Sequence, residues 1–463
     1  MSPGQSGVTF APVNLVQITP GAGGMYCGNC FRDNALVAEL RRQGHDTVLV
    51  PLYLPMTLDE APATSDVPTF FGGINVFLSQ KLAWHRRAPK WFRHWFDSPR
   101  LLRWAAGKTA KTRASDVGEL TVSMLRGEDG RQSRELREMV TWMGNLPRPD
   151  AVFLSNALLV GFARELKARL GTRVICFLQS EESFLDGMPE PFRSEAWAHL
   201  AERAEEVDGW IAPTRYFANR MSERLALPSS RLHVVPNGIA LAGYAELPER
   251  VPVLAGADLT LGFFARQCAD KGLDLVVDAF CELRRRGTVP RLHLRVGGGC
   301  GPGDEAFVAG LKARLAQAGL AAEASFHPNL SRDEKISFLA ACDVISVPAR
   351  FSEAFGLYLI EAMAAGTPVV QPDVCGFREI IEATGGGVVY PKNDAPSLAN
   401  ALEPLLRQPV RLRELGNAGR RAVSRDYTDQ VMARDIAAVT QQVVAERPAA
   451  GPAADRAQTE KGN

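Results

Sequence analysis

The sequence predicts an α/β protein made of two Rossmann-like domains that face each other across a cleft. Three observations carry this expectation. Residues 15–52 read as strand, glycine-rich turn, helix and strand, the opening of a doubly wound sheet. Residues 259–347 repeat a strand–helix alternation. Between them stand the sharp-turn sequence Val235-Pro-Asn-Gly238 and a linker-like stretch over 242–255. The expected division is a first domain over 1–245, a second over 246–425, a crossover helix over 426–446 and a disordered tail over 447–463. At 463 residues the chain is long enough to bury sizeable cores.

Composition narrows the partners. The chain is 46% hydrophobic and 23% charged with a formal net charge of +1, so nucleic acid is not an expected partner. No run of about 18 apolar residues marks a transmembrane helix. Met1-Ser-Pro-Gly-Gln-Ser-Gly7 lacks the basic start and apolar core of a secretory signal. The eight cysteines are scattered, which favours a reducing compartment. A cytoplasmic protein is expected.

In chain order, residues 15–19 form a short apolar strand, and Pro20-Gly-Ala-Gly-Gly24 lets the backbone approach a ligand closely. A helix over 33–43 turns Leu36, Val37 and Leu40 inward and stops at Gly44. The next strand covers 47–52. A dinucleotide site would need an acid near the end of that strand to hold a ribose hydroxyl. Val50-Pro-Leu-Tyr53 supplies none, so the glycine turn reads as an acceptor-side or phosphate-facing loop. Residues 54–145 break the alternation and read as a helical insertion. Within it, Phe71-Gly-Gly-Ile-Asn-Val-Phe77 is a strand or an ordered loop. Residues 81–113 interleave Lys and Arg with Trp84, Trp91, Phe92, Trp95, Phe96 and Trp104, and Asp97 is their only acid. Such a segment either packs its aromatics on the domain or docks on an anionic membrane surface or an acceptor.

Strands return over 150–154 and 173–178, with a helix to Leu170 between them. Ligands in such sheets lie beyond the carboxyl ends of strands, which places Gln179-Ser-Glu-Glu-Ser183 in the cleft, Glu181 and Glu182 as acceptor-side carboxylates, with Asp186 a further candidate. Solvated loop acids are the alternative for Glu181 and Glu182. Thr214 is placed to cap a helix that ends at Leu225.

The second half reads as strands over 259–264, 292–296, 324–326 and 344–347, alternating with helices over 273–286, 305–318 and 333–341. The loop Phe264-Ala-Arg-Gln-Cys-Ala-Asp-Lys-Gly272 sets Arg266 and Lys271 between a strand and a helix. Val296-Gly-Gly-Gly299 is a second glycine turn. The stretch over 349–370 carries Glu353 and Glu361. On one uninterrupted helix these would stand ~12 Å apart along the axis, too far to share a small group. Gly356 predicts instead that the helix begins there, with Glu353 on the loop before it and Glu361 inside it. A ligand at that N-terminus meets a carboxylate at each end and backbone N–H groups between.

The Glu353–Glu361 segment resembles the E-x7-E signature of retaining GT-B glycosyltransferases, specifically family 4 (glycosyl transferases group 1). Arg266 to Gly272 resembles that family's R-x4-K-G element, and residues 71–77 are similar to the N-terminal half of glycogen and starch synthases. The resemblance covers about 15–52 and 150–444 and is most specific over 261–381. It implies a GT-B fold and retaining transfer of a hexose from a nucleotide-diphosphate sugar to a glycan, lipid or small-molecule acceptor. Arg266, Lys271 and Glu353 are the catalytic residues it implies, the two cations neutralising the diphosphate and Glu353 meeting the transferred sugar. Glu361 would accept from the donor ribose hydroxyls, and the Phe355, Gly356 and Leu357 backbone would lie at the sugar–phosphate. Gly297 and Gly298 match the glycine turn near base and phosphates, although the Cys300-Gly-Pro-Gly303 continuation departs from the usual form.

On the acceptor side the resemblance implies Gly23, Gly24 and Gln179. Many family members carry His where this chain has Gln179, so a proton-shuttling role does not carry over. A D-x-D sequence is absent from the chain, and neither a metal nor a cofactor is expected. Cys27-Gly-Asn-Cys30 lacks the second pair of a four-thiolate zinc site and reads as two structural thiols or a redox-sensitive pair. Two other functions are weighed: a glucan-elongating enzyme of the glycogen-synthase kind, and a non-catalytic sugar-nucleotide-binding module. The retained Arg266, Lys271, Glu353 and Glu361 count against the second. Peripheral contact with the inner membrane face through 81–113 is the remaining partner expectation.

Overall fold

The computed structural model describes residues 11–21, 28–53, 63, 67–68, 70–71, 114–249 and 257–446. Two six-stranded sheets organise them, and every pair of neighbouring strands is parallel. The first holds β1 (Asn14–Thr19), β2 (Asp46–Pro51), β3 (Ala151–Leu154), β4 (Arg173–Phe177), β5 (Gly209–Ala212) and β6 (Leu232–Val234) in the order β2-β1-β3-β4-β5-β6. The second holds β7 (Leu259–Phe264), β8 (Leu292–Gly298), β9 (Ala324–Pro328), β10 (Val344–Ile345), β11 (Val369–Pro372) and β12 (Gly387–Tyr390) in the order β9-β8-β7-β10-β11-β12. The inner strands read as continuous apolar runs because helices cover both sheet faces. β3 and β5, for example, are buried at every residue.

This topology decides where a ligand goes. The strand order reverses between β1 and β3 in the first sheet, and between β7 and β10 in the second. Loops leaving two such strands part in opposite directions and open a crevice beyond the carboxyl ends. Arg266 and Lys271 leave β7 and Glu353 follows β10, so the second crevice receives all three.

Two helices that come from opposite ends of the chain cover one face of the first sheet. Leu36 and Leu40 of Gly28–Arg42 pack with Met432, Ala433 and Ile436 of Asp429–Ala445 against Leu15, Phe153 and Ile175. The last helix therefore lies on the first sheet. It enters through a short joint, where Ile239 N–H donates to Tyr427 O (3.0 Å) and Asp429 N–H to Ile239 O (3.0 Å). The second core is built separately around Leu261, Phe263, Phe280, Leu294 and Leu359.

β7 and the helix Leu273–Arg286 stand at the residues the sequence predicts. The first helix does not, since it begins at Gly28 rather than at residue 33. The expected helical insertion covers 54–145. Its last part forms the helices Ala114–Leu125 and Ser133–Met143, whose Leu125, Leu136, Met139 and Met143 belong to the first domain's main core. Gly23, Gly24, Cys27, residues 72–77, the basic and aromatic stretch over 81–113 and the tail over 447–463 lie outside the described residues. Among the described residues no helix is long and apolar enough to cross a membrane.

Candidate functional site between the two sheets

The two carboxyl edges face a shared cavity of about 320 Å³. Its second-domain wall carries Arg266, Lys271, Gly298, Glu353, Phe355, Gly356, Leu357 and Glu361, and its first-domain wall carries Arg32, Gln179 and Asn237. The helix Leu357–Ala364 begins behind Gly356, as the sequence predicts, and Gly356 sits at φ +87°. A side chain is strained at that φ, and a Cβ there would stand 2.8 Å from Leu359 Cδ1. The glycine lets the loop turn sharply enough to leave Glu353 before the helix and Glu361 within it.

Each carboxylate is half engaged. Glu353 Oε2 accepts from Lys271 Nζ and from the Tyr358 hydroxyl (3.3 Å). Glu361 Oε1 accepts from Lys335 Nζ at 2.8 Å. The other oxygen of each has no protein donor among the described residues, and both residues line the cavity. Two lysines thus orient two acids while leaving each able to accept from a hydroxyl. Burial pulls the Lys271 ammonium down, but the Glu353 carboxylate outweighs it and the net shift is upward, so this cation stays charged.

Arg266 is held differently. Its Nε and one terminal nitrogen donate to the two Asp304 oxygens at 3.0 and 2.9 Å, and this pairing raises its pKa. Asp304 Oδ2 also accepts from Gly301 N–H at 3.1 Å. The Cys300-Gly-Pro-Gly303 continuation, anomalous in sequence, therefore delivers an acid that aims the guanidinium along the cavity rim. Lys271 is aimed by backbone, because Gly272 at φ +72° brings its Cα against Pro348 and a Cβ would stand 2.1 Å from Pro348 O.

The acceptor-side expectations divide. Gln179 lines the cavity, with its Oε1 3.5 Å from Asn237 Nδ2. Glu181 does not line it. It is 4% exposed, and its oxygens accept from Ala157 N–H (2.8 Å) and Gln179 N–H (2.7 Å), so it braces the loop from behind. Burial pushes its carboxyl up to about 7, against the pull of those backbone donors. Gly297 also stands behind the wall, where a Cβ would meet Phe264 and Phe338 at 2.9 Å. Among the described residues, no group of three or more His, Cys, Asp or Glu could hold a metal.

Comparison with known proteins agrees with this architecture. Residues 250–422 match the glycosyl transferases group 1 family, and residues 34–238 match a glycosyl transferase 4-like domain. The chain belongs to the family 4 glycosyltransferases. Among curated relatives, a D-inositol 3-phosphate glycosyltransferase of Jonesia denitrificans is 30% identical over 243 residues, 51% of this chain and 57% of that protein. A phosphatidyl-myo-inositol mannosyltransferase of Mycobacterium leprae is 31% identical over 211 residues, 45% of this chain and 53% of that protein. The chain thus spans little more than half the length of these relatives. Among solved structures, sucrose-phosphate synthase from Thermosynechococcus elongatus shares the fold with a TM-score of 0.65 at 16% identity, over 93% of this chain and 99% of that one. Anabaena Alr3699/HepE in complex with UDP and glucose does so with a TM-score of 0.63 at 14% identity, over 93% and 100%.

Several cavity residues escape sequence reading, among them Arg32, Asn237, Lys335 and Tyr358. Arg32 is 2% exposed, its guanidinium carbon 4.0 Å from the Phe177 ring centroid, and it donates to Ser155 O at 3.1 Å. Its position in a helix, beside Asp33, makes it look like a solvated charge. Lys335 looks like a surface lysine for the same reason, although it is 5% exposed and its ammonium reaches Glu361. The E-x7-E pattern signals the acid and not its partner.

Proposed function

We propose that the protein transfers a hexosyl group from a nucleotide-diphosphate sugar to a hydroxyl of an acceptor, with retention of configuration and without a metal. The observation that carries this reading is the pair of half-engaged carboxylates on either side of a helix N-terminus, with Lys271 and Arg266 beside them. A free carboxylate oxygen suits a sugar or ribose hydroxyl, whereas a helix N-terminus with two cations suits a diphosphate. In this assignment Glu361 takes the donor ribose, Lys271 and Arg266 take the diphosphate, and Glu353 takes the transferred sugar.

The chemistry follows from where charge develops. As the bond from the anomeric carbon to the phosphate oxygen breaks, negative charge grows on the departing diphosphate. Lys271, Arg266 and the Phe355–Leu357 backbone are fixed in place to stabilise it, so they favour the transition state over the bound donor. The acceptor oxygen attacks from the same face of the sugar and its proton passes to the leaving phosphate. The acceptor enters along the first-domain wall, where Gln179 and Asn237 offer amide hydrogen bonds beside Arg32, which is paired with Asp33 at 2.9 Å. Inositol phosphates are the first acceptors to try, because two relatives are named for inositol-containing substrates. The test is a panel of UDP-, GDP- and ADP-sugars, read first by ligand-induced thermal shift and then by release of the nucleoside diphosphate with inositol phosphate present. A donor that both stabilises the protein and is consumed supports the reading; a panel with neither effect removes it.

A further inference from the structure

The loop that carries Glu353 belongs by sequence to the second domain, yet it is anchored in the first. Ala354 is 2% exposed and packs within the first domain's apolar core, among residues of β3, β4 and β5. Both of its backbone groups are held by first-domain hydroxyls. Ser180 Oγ accepts from Ala354 N–H at 2.7 Å, and Thr214 Oγ1 donates to Ala354 O at 2.8 Å. Ser352, on the other side of Glu353, is held as well, since Ser183 Oγ donates to Ser352 O at 3.2 Å and the Tyr216 hydroxyl lies 3.3 Å from Ser352 Oγ. Glu379 reinforces the joint from the other side by accepting from the N–H groups of Arg215 and Tyr216 at 3.0 and 3.1 Å. Glu353 is therefore bracketed by two residues fixed to one domain while its carboxylate pairs with Lys271 of the other.

We infer that Ser180 and Thr214 are positioning residues for Glu353, which is held in its sugar-facing place only while the two domains are docked. This rests on the proposed role of Glu353. Ser180 itself supplies an independent sign. It occupies the left-handed region at φ +68°, where glycine would sit without strain. Its hydroxyl is the one feature a glycine could not offer, and Ala354 N–H is where that hydroxyl goes. Thr214 serves two partners, because it also accepts from Phe217 N–H at 3.2 Å as the cap of Arg215–Leu225. A bare nucleoside diphosphate lacks the transferred sugar that Glu353 would meet, so its binding does not depend on the anchor.

The test uses the whole protein and two readouts. Ser180→Gly keeps the backbone conformation and deletes the hydroxyl; Thr214→Val deletes the second anchor, and Thr214→Ser retains it. Amide exchange over residues 352–356 should quicken about tenfold in Ser180→Gly and Thr214→Val, the effect of one lost hydrogen bond, and stay near wild type in Thr214→Ser. With the donor found by the panel, kcat should fall roughly tenfold in the first two while affinity for the free nucleoside diphosphate stays within about twofold. In a Glu353→Gln background, Ser180→Gly should cost less than about twofold, since both changes act through one group. Unchanged exchange, unchanged kcat, or equal losses in both backgrounds would each overturn the inference. If the wild type consumes no donor, the glycosyl-transfer reading fails, whereas exchange at 352–356 still decides whether the anchor exists.

Discussion

Lys271→Met separates what the Lys271–Glu353 pair does for stability from what it does for turnover. Methionine keeps the length of the side chain and removes its charge. Glu353 is 19% exposed at its side chain and would keep only the Tyr358 hydroxyl at 3.3 Å. A part-buried carboxylate stripped of its cation costs about 1–3 kcal/mol. For a domain of this size that lowers Tm by roughly 2–4 °C per kcal/mol. Losing a fixed cation at the departing diphosphate should independently cut kcat by about 10²–10³. The double variant Lys271→Met/Glu353→Gln leaves no stranded charge, so Tm should recover most of its loss while kcat stays low. Thermal unfolding and steady-state release of nucleoside diphosphate measure both. A single variant with wild-type kcat would remove Lys271 from the donor site. A Tm that Glu353→Gln fails to restore would show that the pair is not what holds the loop.

Three further outcomes are expected. Glu361→Ala should raise donor KM about tenfold or more with a smaller effect on kcat, and an unchanged KM would remove its ribose role. Gly272→Ala should destabilise by about 1–3 kcal/mol, because it forces a side chain into the left-handed region against Pro348 O; a wild-type Tm would contradict the contact. Glu181 should make stability depend on pH. Its carboxyl is raised in the fold from 4.5 to about 7 by burial, so the ionised form is disfavoured there. Its contribution is then present below the unfolded value and is lost as pH rises through about 7, by roughly 3 kcal/mol in total. Glu181→Gln should flatten that part of the Tm–pH curve between pH 5 and 8; an identical curve would mean the carboxyl titrates normally.

The features most legible in the sequence are those whose cause is local. Gly356 marks the start of its helix because an eight-residue spacing and one permissive residue suffice to place Glu353 and Glu361. β7 and the helix after it follow from periodicity and from Gly272. The partners that complete the site come from distant parts of the chain. Asp304 lies 38 residues from Arg266, Lys335 lies 26 from Glu361, and Ser180 lies 174 from Ala354. Periodicity cannot show such pairings. Glu181 and Arg32 defeat sequence reading for a related reason. Their burial is set by backbone N–H groups and a phenylalanine face that no local pattern announces. The first helix starts at Gly28, ahead of the expected residue 33, although Gly28, Asn29 and Cys30 are weak helix formers.

The proposed reaction moves a sugar from a nucleotide to a hydroxyl in this cleft without a metal. The most direct measurement is product analysis by NMR on protein treated with EDTA, using the donor found by the panel and inositol phosphate as acceptor. Free nucleoside diphosphate is expected, together with a glycoside of the same anomeric configuration as the donor. No product until Mn²⁺ is added back, or a product of inverted configuration, would contradict it.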